Sequence, residues 1–187
     1  MAQGQSLSKA ALIQRLRTTG QEVMAKLRAL PLETYELGRY ENSWNGRQIL
    51  AHIASIEWTY ARLIDLAQEA PGGPPSADLS QARRTTPEES AAIPSRPIQG
   101  GIDAYNARQV EKRANATIGE LIEEFEANRA RTVAALEAAD DQLLSRPIRS
   151  AGGITGSLAG VLNAVAVEHV LGHVADIVGE ERSGWRW

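Results

Sequence analysis

Apolar residues recur at helical spacing in four separate stretches of this 187-residue chain, and four such stripes leave few architectures open. The first runs from about Ser8 to Leu30 with Leu12, Leu16, Val23, Leu27 and Leu30 on one face, and stops before Pro31. The second begins at Asn45, which with Gln48 has the pattern of a capping box, and carries Ile49, Ile53, Ile56, Tyr60 and Leu63 to about Gln68. The third opens with a second such pair, Thr117 and Glu120, and continues through Ile118, Leu121, Phe125 and Leu136. The fourth, about Ser157 to Glu180, puts Leu158, Leu162, Val165, His169, His173 and Asp176 on one stripe. Each is roughly 30–35 Å long at a rise of ~1.5 Å per residue. Matched lengths, with no alternating strand-like run to compete, predict an all-α four-helix bundle.

The connections are unequal. Pro31 to Trp44 joins the first two helices, and Pro147 with Gly152-Gly153 lies between the last two. A much longer segment, Glu69 to Ala116, separates the second from the third. A loop of that length inside one domain is usually functional, and this one contains a further short helix over about Ile102 to Ala114. Its Pro- and Gly-rich part, Pro71 to Gly101, also reads as a plain linker. The whole, residues 1–187, fits a single domain able to bury its own core.

Three exclusions narrow the setting. The chain has no cysteine, so it offers no disulfide and no thiolate ligand, which fits a reducing, cytoplasmic compartment. No stretch approaches the ~18 consecutive apolar residues of a membrane span, and the N-terminus lacks the apolar run of a signal peptide. A net charge of −3 without a dense basic, aromatic-interleaved patch argues against nucleic acid as a partner.

The three histidines carry the chemistry. His169 and His173, four residues apart, share one face of the fourth helix, and His52 lies within the apolar stripe of the second. Three separately hydrogen-bonded core histidines are the plain alternative to a metal site. His52 is roughly 10 Å from the start of its helix, and His173 and His169 are roughly 10 and 16 Å from the end of theirs. Antiparallel second and fourth helices bring all three to nearly one height, whereas parallel ones miss by ~8–14 Å. Convergence therefore predicts up-down-down-up topology, whose bundle-length crossover between helices two and three the Glu69–Ala116 segment supplies.

Three neutral imidazoles leave a fourth position open, the arrangement of catalytic zinc, although nickel, iron and copper accept the same ligands. Val170, Leu171 and Gly172 stand between the histidines, so no HExxH glutamate is present and a zinc-protease reading fails. Gly172 leaves volume beside the site or serves close helix packing. Asp176 either orients an imidazole or is merely solvated, and Glu57 and Glu168 are expected off the metal face and exposed.

The run Trp44-Asn45-Gly46-Arg47-Gln48-Ile49-Leu50-Ala51-His52, followed by His169-Val170-Leu171-Gly172-His173, resembles the DinB-like superfamily. That group includes the N-terminal domain of mycothiol-dependent maleylpyruvate isomerase and bacterial thiol transferases. Tyr105-Asn106-Ala107-Arg108 and Thr117-Ile118-Gly119-Glu120 extend the resemblance over most of the chain. It implies the same bundle order, a metal on His52, His169 and His173, and frequent homodimers. The short helix with Tyr105, Asn106, Arg108 and Arg113 is expected near the mouth of the site, with Arg108 either gripping a substrate carboxylate or solvated. Trp185 and Trp187 form a C-terminal tail that walls the pocket, packs on a partner chain or frays.

Together these readings predict a divalent-metal enzyme, zinc or nickel being favoured. Its expected reaction is transfer involving a low-molecular-weight thiol co-substrate and a small electrophilic molecule, with the metal stabilising the thiolate. The alternatives are a non-catalytic metal-binding stress-response bundle and a metal-dependent hydrolase.

Overall fold

A computed structural model of the chain describes residues 7–38, 44–69, 82–96 and 98–180. Helix α1 (Lys9–Arg28) leads through a 3-10 turn, Leu32–Glu36, towards α2 (Gly46–Glu69). A two-residue strand, β1 (Arg83–Arg84), precedes α3 (Gly101–Glu111) and α4 (Ile118–Ala138). A second 3-10 turn, Asp141–Ser145, enters a hairpin of β2 (Pro147–Arg149) and β3 (Ile154–Ser157). The last helical stretch comes in three pieces: α5 (Leu158–Leu162), a π-helical segment (Asn163–Glu168) and α6 (His169–Val178). The Trp185–Trp187 tail lies outside the described residues, as does part of the segment expected to cross between the second and third helices.

Local chemistry sets the helix starts. The Asn45 backbone N–H donates to Gln48 Oε1 and the Gln48 N–H to Asn45 Oδ1, both at 2.9 Å. Thr117 and Glu120 make the same reciprocal cap, with Thr117 N–H donating to Glu120 Oε2 at 2.7 Å. Ser8 Oγ accepts from Ala11 N–H at 3.2 Å and caps α1.

Helix α4 packs on both α1 and α2, and α6 packs on the same two helices. The buried apolar residues form two clusters. One gathers Leu12, Leu16, Tyr60, Leu136, Ile148 and Leu162. The other gathers Val23, Leu27, Ile49, Ile53, Phe125 and Val170. Between the clusters, α2 and α4 carry the buried polar residues Ser55, Glu57, Asn128, Arg129 and Thr132.

At the centre of this polar layer Arg129 grips Glu57 with two hydrogen bonds. It also donates Nη1 to Leu16 O at 2.9 Å and Nη2 to Ala166 O at 2.6 Å. Glu57 was expected on the surface and is fully buried instead. Burial pushes its carboxyl up from the ordinary carboxylate range, and the adjoining guanidinium offsets part of that rise. Glu168, also expected to be exposed, is half-buried and accepts from Asn163 Nδ2 at 2.8 Å.

Two further expectations fail. A three-stranded antiparallel sheet, in the order β1–β3–β2, is present where no strand was predicted. Its strands are two to four residues long, too short to display an alternating pattern. Gly156 is required there, because a Cβ would stand 2.9 Å from Ala82 Cα, and Gly153 turns the hairpin at φ +85°. The fourth helix is not one α-helix from Ser157 to Glu180: six residues widen into π geometry just ahead of His169. The stretch Leu158–Val178 is long and apolar enough to cross a membrane by length and composition, but more than half of it is buried within the fold.

Candidate metal centre

The apolar stripe of α2 carries His52 inward to 4% exposure, and the start of α6 presents His169 and His173 one turn apart. One ring nitrogen from each histidine lies within 4.8 Å of the others. Ring centroids are 4.4 Å apart for His169 and His173, 5.0 Å for His52 and His173, and 5.5 Å for His52 and His169. All three pairs meet edge-on at 81–85°.

His169 Nε2 and His173 Nε2 approach to 3.0 Å. Two neutral acceptor nitrogens at that separation repel unless one carries a proton or a cation sits between them. Nitrogens on a tetrahedral zinc, with bonds of ~2.0–2.1 Å, stand about 3.3 Å apart. The α6 pair at 3.0 Å is close to that spacing, and a His52 ring nitrogen lies within 4.8 Å of both.

His52 Nδ1 is buried with no hydrogen-bond partner, a costly condition unless something else fills it. Burial, reinforced by the neighbouring His173, lowers the pKa of His52 to about 3. The ring is therefore neutral near pH 7, the form a metal requires. Asp176, 9% exposed, places Oδ2 3.5 Å from His173 Nδ1, where it can orient that ring. Trp44 packs at a tilt against His52, with centroids 5.3 Å apart.

The three histidines open onto a cavity of about 480 Å³, within the range of small-molecule sites. Gly172 lies on its wall, and nothing stands within 4 Å of where a Cβ would be. Tyr105 and Asn106 of α3 line it. Arg108 does not: it is exposed and donates to Gln99 O at 3.2 Å. Arg113 is also elsewhere, held by Glu124.

Among the described residues, the arginines that reach the cavity are Arg62, Arg84, Arg96 and Arg149, contributed by α2, the loop before α3 and the small sheet. Arg84 and Arg149 were not identifiable beforehand, because the strands that deliver them carry no periodic signal. Several of the cavity-lining residues carry buried polar atoms without a hydrogen-bond partner: Tyr60 Oη, Asn106 Oδ1 and Arg149 Nε join His52 Nδ1. Burial, then the charge of Glu57, pushes the Tyr60 phenol far up, so its hydroxyl stays protonated and can donate.

A helical fold with one inward histidine from α2 and two from α6 defines a class, and the chain belongs to the DinB superfamily, whose family model matches residues 15–177. It is similar in structure to the mycothiol-dependent maleylpyruvate isomerase, at 15% identity and a TM-score of 0.65. A crystal structure of a histidine-to-alanine mutant of that isomerase matches at 14% identity with the same TM-score. Both matches cover 95% of this chain but 63% of the isomerase, so the likeness concerns the shared fold and stops short of the isomerase's full length. A search of curated proteins returned no match.

Proposed function

We propose that this chain is a divalent-metal-dependent enzyme, with His52, His169 and His173 as ligands, that transfers a low-molecular-weight thiol to or from a small electrophilic molecule. One observation carries the reading: three histidines within coordination reach of one another line a cavity large enough for substrate and supply no fourth ligand. A zinc or nickel ion held there would lower the pKa of a thiol in its open position.

The protein's own residues set the conditions. Burial keeps His52 neutral, Asp176 steadies His173, and Ile49, Ile56 and Val165 give the cavity an apolar lining beside the histidines. The related isomerase is described as mycothiol-dependent, which favours a thiol over bound hydroxide as the nucleophile.

Up-down-down-up order of the bundle belongs to the same reading. It is supported by paired residues whose numbers rise together between α2 and α4 (Arg47 with Ala116, Ala54 with Asn128). Between α1 and α4 they rise oppositely (Arg17 with Glu137, Arg28 with Glu126). A single domain over residues 1–187 and a cytoplasmic location complete it. So does a homodimer, which exposed Leu32, Leu37 and Leu171 favour.

Elemental analysis of purified protein tests the site: the expected result is close to one divalent ion per chain, lost in His52→Ala, His169→Ala and His173→Ala. Calorimetry with 2-mercaptoethanol then tests the chemistry. Binding should release a proton and vanish after chelation, whereas a metalated protein indifferent to thiols would leave a structural metal as the better account.

A further inference from the structure

The cavity wall is charged against the trend of the molecule. The chain as a whole is at −3, yet among the described residues four arginines and a single acid, Asp103, line the cavity. Two of the four are committed elsewhere. Arg96 is paired with Glu69 at 2.6 Å, and the Arg62 guanidinium lies 5.1 Å from the Trp58 ring centroid. Arg84 has no ion pair among the described residues. Arg149 donates Nη2 to Thr85 O at 3.2 Å while its buried Nε–H has no partner.

Strand pairing fixes both of these arginines. Arg149 and Arg83 lie opposite Thr155 from the two sides of β3, and Arg84 lies opposite Ile154. The sheet thus brings cations from residues 65 apart in sequence to one cavity wall. Tyr60, across the chain on α2, adds a second unsatisfied donor, the buried hydroxyl. An unpartnered guanidinium N–H, an unpartnered phenol and a free positive charge call for an acceptor that is anionic and offers more than one oxygen.

We propose that Arg149 and Tyr60, aided by the charge of Arg84, form a carboxylate-binding subsite in the cavity that the three histidines share. The inference rests on the proposed function only in assigning that carboxylate to a reactant. It names the substrate class: a small organic acid, with its carboxylate on the sheet side and its reactive end towards the histidines. Arg108 plays no part.

The test is calorimetric titration of the full chain with succinate, which carries carboxylates but no thiol and no electrophilic centre. Both metal-free and zinc-loaded protein are used. Succinate should bind the metal-free chain, at least about 10-fold more weakly in Arg149→Gln, as expected for loss of a charge-assisted hydrogen bond. Tyr60→Phe and Arg84→Gln should each weaken it several-fold, and Arg108→Gln should not change it. If Arg149→Gln proves unfolded by circular dichroism, the Tyr60 and Arg84 variants decide alone.

No binding by the wild type, or binding that requires zinc and ignores all three residues, overturns the subsite. Zinc-loaded protein titrated with 3-mercaptopropionate and 2-mercaptoethanol then shows which reactant carries the acid. An advantage for the former that disappears in Arg149→Gln assigns the carboxylate to the thiol, and equal affinities assign it to the electrophile. If succinate responds to Arg149 while neither thiol binds, the transferase reading fails and the subsite stands.

Discussion

An imidazole held neutral in a core makes folding sensitive to acid. His52 titrates near 3 in the folded chain against an ordinary 6.5, so between those values the unfolded chain binds the extra proton. Its contribution to stability is intact above about pH 6.5 and is lost as the pH falls towards 3, at no more than ~1.4 kcal/mol per pH unit. Urea unfolding of metal-free protein at several pH values should show a steeper loss of stability on acidification for the wild type than for His52→Ala. Equal slopes would mean that His52 is solvated. The histidines were legible in the sequence because four-residue spacing and an apolar setting are local facts. Glu57 was not: its burial depends on Arg129, 72 residues away, and no window of sequence contains both. Arg149 escaped notice for the same reason, since its neighbours Thr85 and Thr155 meet it only through strand pairing.

Among the elements, the α5–π–α6 stretch ties the core to the site. A π turn is in effect one residue inserted into an α-helix, and it leaves carbonyls in need of donors. Arg129 supplies one to Ala166 O, three residues before His169. Deleting Ala164 should restore α geometry while Leu158 and Leu162 keep their face relative to His169 and His173, because the π turn absorbs the extra residue. Metal stoichiometry should then be retained, whereas deleting Val170 within α6, where no bulge absorbs the change, should shift His169 against His173 and abolish it. Arg129→Met leaves Glu57 buried without its partner and should cost ~3–5 kcal/mol in urea unfolding. The double variant Glu57→Leu/Arg129→Met should recover most of that stability while still binding metal more weakly, because Ala166 O remains uncapped. Full recovery of metal affinity would separate the clamp from the site. Helix starts were readable from Asn45–Gln48 and Thr117–Glu120, whose caps are three-residue affairs. The π turn was not, since Leu162, Val165 and His169 are spaced in the sequence as an ordinary α-helical stripe.

For the molecule as a whole, the two apolar clusters matter more to folding than the site. The second cluster, through Ile49, Ile53, Val170 and Val174, surrounds the histidine-bearing turns with ordinary side-chain packing. Chelated protein should therefore keep its far-ultraviolet dichroism and melt only a few degrees lower, by the linkage that favours the metal-bound native state. Collapse on chelation, as in zinc fingers, would instead make the ion a structural one. Light scattering at micromolar concentration should give twice the chain mass if the exposed leucines mark a dimer interface. The helical class of the fold was legible because four long stripes dominate the chain. The sheet that shapes the cavity was not, since its pairing is made between short segments far apart in sequence.

The indole of Trp44 beside His52 gives the protein an optical gauge of what it holds. Zinc has a filled d shell and leaves a nearby indole emitting, whereas nickel and copper have open shells and drain its excited state. With only four tryptophans in the chain, the Trp44 share of the emission should stand out by comparison with Trp44→Phe. A titration that dims the native protein but not that variant would distinguish an open-shell occupant from zinc by light alone.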